Sequence, residues 1–224
     1  MRQPLPGNRD FVPLPRTLTG LVGLIAIIEI ILTMSDEGLL FGRGLRLAVF
    51  NTGAFWSPLL RGVEPIFAAQ PWSMFISHAV LHGGFLHMAM NMAVLLAMGR
   101  FVSDRYGSGV ILPLFFLGAI GGGAMFGLLS ASPAPMIGTS GVVFTFLGVW
   151  IVWDWRRHAR ARLSTRPVMT RVLVLAGLNV VFFFALAGGL AWETHLGGFI
   201  VGLIAGLWLE NREEARVVAR RRGL

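Results

Sequence analysis

The chain of 224 residues is 55% hydrophobic and 13% charged, with a mean hydropathy of +0.71, and six stretches are apolar for long enough to approach a bilayer width. That excludes a water-soluble globular domain and describes an all-α, polytopic membrane protein of six transmembrane helices. The formal charge of +8 rests on nineteen basic residues, all arginine and gathered between the apolar stretches, which reads as topology and not as a nucleic-acid footprint; the absence of cysteine removes disulfides and thiolate chemistry.

Residues 1–17, with Arg2, Arg9 and Arg16, form an N-terminal segment. The first span runs from Leu18 to Met34 and is expected to stay attached, because Met34-Ser35-Asp36-Glu37 offers no small-residue cleavage site. Glu29 stands alone in that span, either paired with an arginine, bonded across helices or protonated. The loop 35–73 is rich in Leu, Phe and Trp but interrupted by Gly44, Asn51, Gly53 and Pro58, so it is expected to lie half-sunk in the outer interface. Five further spans follow at Gly84 to Val102, Val110 to Leu129, Gly141 to Trp153, Val168 to Ala187 and Trp192 to Leu209. Together, residues 18–209 make one membrane domain, and the cytoplasmic tail 210–224 is expected to be a frayed helix end.

Arginine marks alternate connections. Arg100 and Arg105 join the second span to the third; Arg156, Arg157, Arg160, Arg162, Arg166 and Arg171 join the fourth to the fifth; Arg212, Arg216, Arg220, Arg221 and Arg222 close the chain. The connections 130–139 and 188–191 carry none, which places both termini in the cytoplasm by the positive-inside rule.

Polar groups in hydrocarbon are costly, and a few of them occur at matching depth. Ser140, in Gly138-Thr139-Ser140-Gly141, stands fourteen residues before Asp154, and His195 stands fourteen before Leu209. At about 1.5 Å per residue both lie roughly 21 Å from the cytoplasmic boundary, and His87, thirteen residues before Arg100, lies at about 20 Å. The three converge on one outer-leaflet layer. A serine hydroxyl needs a neighbouring base, and His195 is the only histidine of the three carboxyl-side spans placed to serve. No carboxylate lies a helical turn from His195, since Glu193 points elsewhere, so packing is expected to orient the imidazole, with Phe144 one turn below Ser140 as the stacking partner. His87 and Asn91, spaced i, i+4, and the backbone N–H of Ser140 form a candidate oxyanion hole.

Gly198, Gly202 and Gly206 leave a smooth helix face starting one turn after His195, against which the Ser140 helix can approach. Gly107-Ser108-Gly109 is turn chemistry with no histidine near it, and Gly138-Thr139-Ser140-Gly141-Val142 lacks the second glycine of a hydrolase elbow. His78, His82 and His87 lack acidic or cysteine companions, so neither a metal nor any other cofactor is expected. Phe182, Phe183 and Phe184 are candidates to line an access path in the fifth span.

With Gly138-Thr139-Ser140-Gly141, His195 followed by Gly198 and Gly202, and His87-Met88-Ala89-Met90-Asn91, the chain resembles the rhomboid intramembrane serine proteases of bacterial type, from Leu18 to about Leu209. The resemblance implies a six-helix bundle in the bacterial inner membrane. It also implies a submerged Ser140–His195 dyad, oxyanion donors at His87 and Asn91, and transmembrane proteins as substrates, cut at small residues near the outer leaflet. His78 and His82 would hold the loop and nearby water. Two departures stand out: Trp72-Ser73 where Trp-Arg is usual, which bears on how the loop is anchored, and Phe144 where tyrosine is common. The rival readings are an inactive relative that binds transmembrane helices, and a small transporter. Retention of both serine and histidine speaks against the first, and the absence of internal repeats against the second.

Overall fold

A computed structural model describes residues 13–186 and 189–221, so residues 1–12 of the predicted N-terminal segment 1–17, the end of the fifth span at Ala187, and Arg222 lie outside the described residues. Among the described residues eight α-helices follow in order: α1 (Arg16–Asp36), α2 (Leu45–Gly53), α3 (Gln70–Ser77), α4 (Phe85–Tyr106), α5 (Ile111–Leu129), α6 (Ser140–Arg160), α7 (Arg166–Ala185) and α8 (Trp192–Arg221). Pro71 and Pro167 sit in the first turns of α3 and α7, where a missing N–H costs nothing. Gly84 turns the chain into α4 at a φ of 136°, a conformation closed to most side chains. Among the described residues there is no strand, only an isolated antiparallel bridge between Phe55 and Met136.

Helices α1, α4, α5, α7 and α8 are each long and apolar enough to cross a membrane. The remaining predicted span, α6, carries Asp154, Arg156, Arg157 and Arg160 in its last turns and is enclosed by its neighbours, burying residues all along its length from Gly141 to Asp154. Phe146 and Val149 of α6 belong to one core cluster with Leu18 and Ile25 of α1, Leu95 of α4 and Phe115 of α5. By contrast, Val168 is the one buried residue of α7.

The tightest approach joins α6 to α8. A Cβ at Gly198 would run into the carbonyl of Gly141, and one at Gly202 would meet the carbonyl of Thr145 and stand 2.9 Å from the Cα of Gly148. At Gly206 it would stand 2.9 Å from the Cβ of Val152. The Thr145 hydroxyl, 3.1 Å from the Gly141 carbonyl, donates across the seam to the carbonyl of Gly198 at 2.9 Å. Helices in lipid gain nothing from excluding water, so this backbone-to-backbone contact has to supply the association.

The loop 35–73 folds into α2, a 3₁₀ turn at Ser57–Arg61 and the start of α3, and leaves Leu39, Phe41, Leu47 and Trp72 exposed. Its anchor is Arg46. The guanidinium grips both carboxylate oxygens of Glu29 at 3.0 and 3.1 Å, donates to Asp36 at 2.6 Å and reaches the carbonyl of His82 at 2.8 Å. Glu29 therefore pairs with an arginine, and α1 is tied through Arg46 to the lead-in of α4 in a chain that lacks the arginine after Trp72. A second tie runs from Arg61 to the carbonyl of Ser130 at 2.9 Å.

At the opposite end α8 continues past Leu209, and the tail expected as a frayed helix end is helical as far as Arg221. The reason is Glu210, wholly buried and bonded by Arg105, by Tyr106 at 2.8 Å and by Arg160, which fastens α8 to the ends of α4 and α6.

Two stability tests follow from these contacts. Gly202→Leu forces α8 away from α6, an overpacking cost of about 3 kcal/mol, and should lower the thermal unfolding midpoint in micelles; an unchanged midpoint would show the seam to be slack. Glu29→Gln removes the buried charge that Arg46 grips, leaving the guanidinium its bonds to Asp36 and the His82 carbonyl, and should cost about 2 kcal/mol, whereas Glu29→Leu combined with Arg46→Leu should cost less than the two single changes added together.

Candidate functional site

Ser140 opens α6, delivered there by a segment tied down at every step. Met136 pairs with Phe55 in both directions, at 2.9 and 3.0 Å. The Gly138 N–H donates to the carbonyl of His78 at 2.9 Å, the Thr139 hydroxyl donates to the carbonyl of Ala79 at 2.7 Å, and the Thr139 N–H donates to His82 Nε2 at 3.3 Å. His78 is itself fixed by the Ala119 carbonyl, 3.2 Å from Nε2. Both histidines thus hold the loop that precedes Ser140. Burial pushes His78 down to about 4, and burial with the neighbouring His87 pushes His82 down to about 3, so both rings are neutral at physiological pH and His82 keeps Nε2 as an acceptor.

Gly138 has a φ of 117° and lies under the His87 ring, whose Cε1 and Nε2 stand 2.9 and 3.0 Å from where a Cβ would be. Any larger residue would lose both the backbone conformation and the contact. His87 Nδ1 accepts from the Gly83 N–H at 3.4 Å, which assigns the ring proton to Nε2, the edge facing this loop. Asn91, one turn on and buried, uses one amide N–H on the His87 carbonyl at 3.0 Å and keeps the other. Beside them the first N–H groups of α6 are donors without a partner inside the helix.

His195 lies in the first turns of α8 and is buried. Its ring stacks on Phe144, with centroids 4.4 Å apart and planes inclined by 9°. Phe144 is one turn from Ser140 on the same face of α6, and Gly141, next to Ser140, abuts Thr194 and Gly198 on either side of His195. The glycine seam thus brings the half-buried Ser140 and the imidazole to one junction. Among the described residues no hydrogen bond joins Ser140 Oγ to His195 in this state; such bonds commonly tighten only when substrate is bound.

Packing is not the only thing that orients the imidazole. Asn179 of α7 places its side-chain oxygen 2.5 Å from His195 Nδ1. It is the one amide in an otherwise apolar stretch of the fifth span, the same signal that singles out His195, and sequence reasoning passed over it. An apolar cleft of about 510 Å³ opens between α7 and α8, with Phe183, Phe184 and Trp192 on its walls and Phe144, Asn179 and His195 at its head. Phe182 is not among its walls.

The Rhomboid domain family matches residues 68–212, well over half of the chain and a range that takes in all of these site residues while leaving α1 outside. The chain is 29% identical over 140 residues to "Rhomboid protease GluP" of Bacillus subtilis (strain 168), covering 62% of this chain and 26% of that protein. It is 30% identical over 149 residues to "Rhomboid protease GlpG" of Yersinia pestis (strain Pestoides F), covering 66% and 51%. To "Rhomboid-like protein 11, chloroplastic" of Arabidopsis thaliana it is 25% identical over 181 residues, covering 75% and 63%. The chain therefore spans between about a quarter and about three fifths of the length of these relatives. With the domain match extending from the approach to α3 to the buried turn of α8 around Glu210, this multi-pass membrane protein belongs to the rhomboid family.

Proposed function

We propose that the protein is an intramembrane serine endopeptidase in which Ser140 is the nucleophile and His195 the general base. The observation that carries this reading is the His195 ring stacked on Phe144, one turn from Ser140, at the head of the apolar cleft between α7 and α8. Two of the relatives named above are called proteases, in keeping with it.

In this reading the substrate is a transmembrane segment, unwound at small residues near the outer leaflet and reaching the site through the cleft. Ser140 Oγ attacks the scissile carbonyl carbon while its proton passes to His195 Nε2. The oxygen of the tetrahedral intermediate accepts from the Ser140 N–H, from His87 Nε2 and from the free amide N–H of Asn91, donors that gain strength where water is scarce. Collapse breaks the C–N bond as His195 returns the proton to the leaving amine. Water then attacks the acyl-enzyme with His195 again as base, and Ser140 is regenerated. His78, His82, Gly138 and Thr139 keep the nucleophile's loop in register, and Gly141, Gly198 and Gly202 keep the two helices close enough for proton transfer. The reaction requires neither metal nor cofactor. In this reading both termini lie in the cytoplasm, in keeping with the arginine distribution, and the site faces the outer leaflet of a bacterial inner membrane.

Reconstituted with a single-span substrate, Ser140→Ala and His195→Ala should each lower cleavage by at least about 10³-fold while the unfolding midpoint stays at the wild-type value. Cleavage surviving in Ser140→Ala would remove the nucleophile. Asn91→Ala should slow turnover by about 10²-fold and still permit a fluorophosphonate to label Ser140; an unchanged turnover would take Asn91 out of the oxyanion hole.

A further inference from the structure

α7 is the least buried of the five long apolar helices, with 6% of its apolar window buried against 44% for α5 and α8. Among the described residues its side chains hydrogen-bond to other helices at two places, Arg171 with Asp154 and Asn179 with His195. The second is an uncharged bond between the sparsely packed wall of the cleft and the imidazole at its head.

The amide resolves its own orientation. Asn179 Nδ2 donates to the carbonyl of Leu175 at 2.9 Å, and a carbonyl can only accept. Flipping the amide would set its oxygen against that carbonyl, so Oδ1 is the atom facing His195 Nδ1 at 2.5 Å. An amide oxygen has no proton to give. The imidazole proton therefore sits on Nδ1, and Nε2 is left unprotonated, the tautomer a general base requires.

We propose that Asn179 is a positioning residue for His195, fixing the tautomer and tilt with which Nε2 meets the Ser140 hydroxyl, and that displacement of α7 releases this hold. The inference rests on the reading of Ser140 and His195 as nucleophile and base. In soluble serine proteases a carboxylate does this work, and an amide in its place costs about 10⁴ in turnover by imposing the wrong tautomer. Here the Leu175 carbonyl occupies the amide N–H and removes that failure. An amide also brings no second charge into a site walled by hydrocarbon. When Ser140 Oγ gives its proton to Nε2, Nδ1 keeps its own and goes on donating to Oδ1, a bond that strengthens as the ring becomes positive. No proton passes to Asn179.

A simpler account makes Asn179 a latch that only holds α7 shut, and the two accounts differ in sign. If Asn179 positions His195, Asn179→Leu and Asn179→Ala should each lower the rate of Ser140 labelling by a small fluorophosphonate about tenfold, with kcat on a reconstituted single-span substrate falling equally and KM within twofold of wild type. Asn179→Asp, which keeps an acceptor against Nδ1, should restore labelling to within about threefold. If Asn179 is only a latch, labelling stays at the wild-type rate in the folded Leu and Ala variants and cleavage is unchanged or raised; either result overturns the proposal. Failure of the wild-type protein to be labelled at all would instead bring down the protease reading on which it stands.

Discussion

The structure depends on two helices whose backbones touch. Between α6 and α8 the side chains are so small that carbonyls and Cα atoms form the interface, Gly198 against Gly141 and Gly202 against Thr145 and Gly148. Lipid gives no hydrophobic reward for bringing helices together, so the surface match itself, with the crossed Thr145 hydrogen bond, has to hold them. The same closeness brings a residue at the head of α6 within reach of one in the first turns of α8. Stability and the proposed chemistry thus draw on one contact, and a methyl group in the seam would disturb both.

Around that seam, charge is distributed unevenly. Glu210 is enclosed by Arg105, Arg160 and Tyr106 at the arginine-rich end, and Glu29 is enclosed by Arg46 near the opposite one. Both of these carboxylates have their donors, as burial demands. The site between them is built from neutral groups, with histidines, an asparagine on α4 and another on α7 held by backbone carbonyls or by one another. A neutral lining suits a place where water is limited and an oxyanion has to be the main charge that develops.

Much of this was legible along the chain because helices repeat. The apolar runs mark the helices, the four-residue spacing of Gly198, Gly202 and Gly206 marks the seam, and Phe144 falls one turn from Ser140, which is where the His195 ring stacks. Pairings between elements were not legible. Glu29 and Arg46 stand 17 residues apart, and Asn179 and His195 16 apart, on segments whose relative rotation no local pattern encodes. What fastens the helix end past Leu209 was hidden for the same reason. Glu210 looks like the first residue of a polar tail until the arginines of α4 and α6 are seen to converge on it.

The ion pair of Arg171 with Asp154 gives α7 a pivot. Asn179 is eight residues farther along, or about 12 Å, so rocking the helix by about 10° swings the amide by about 2 Å, more than a hydrogen bond tolerates. Bilayers that differ in thickness impose tilts of that order on their helices. A lever fastened at its charged base and free at its tip makes the imidazole's surroundings responsive to the membrane around the protein, with no ligand needed to move it.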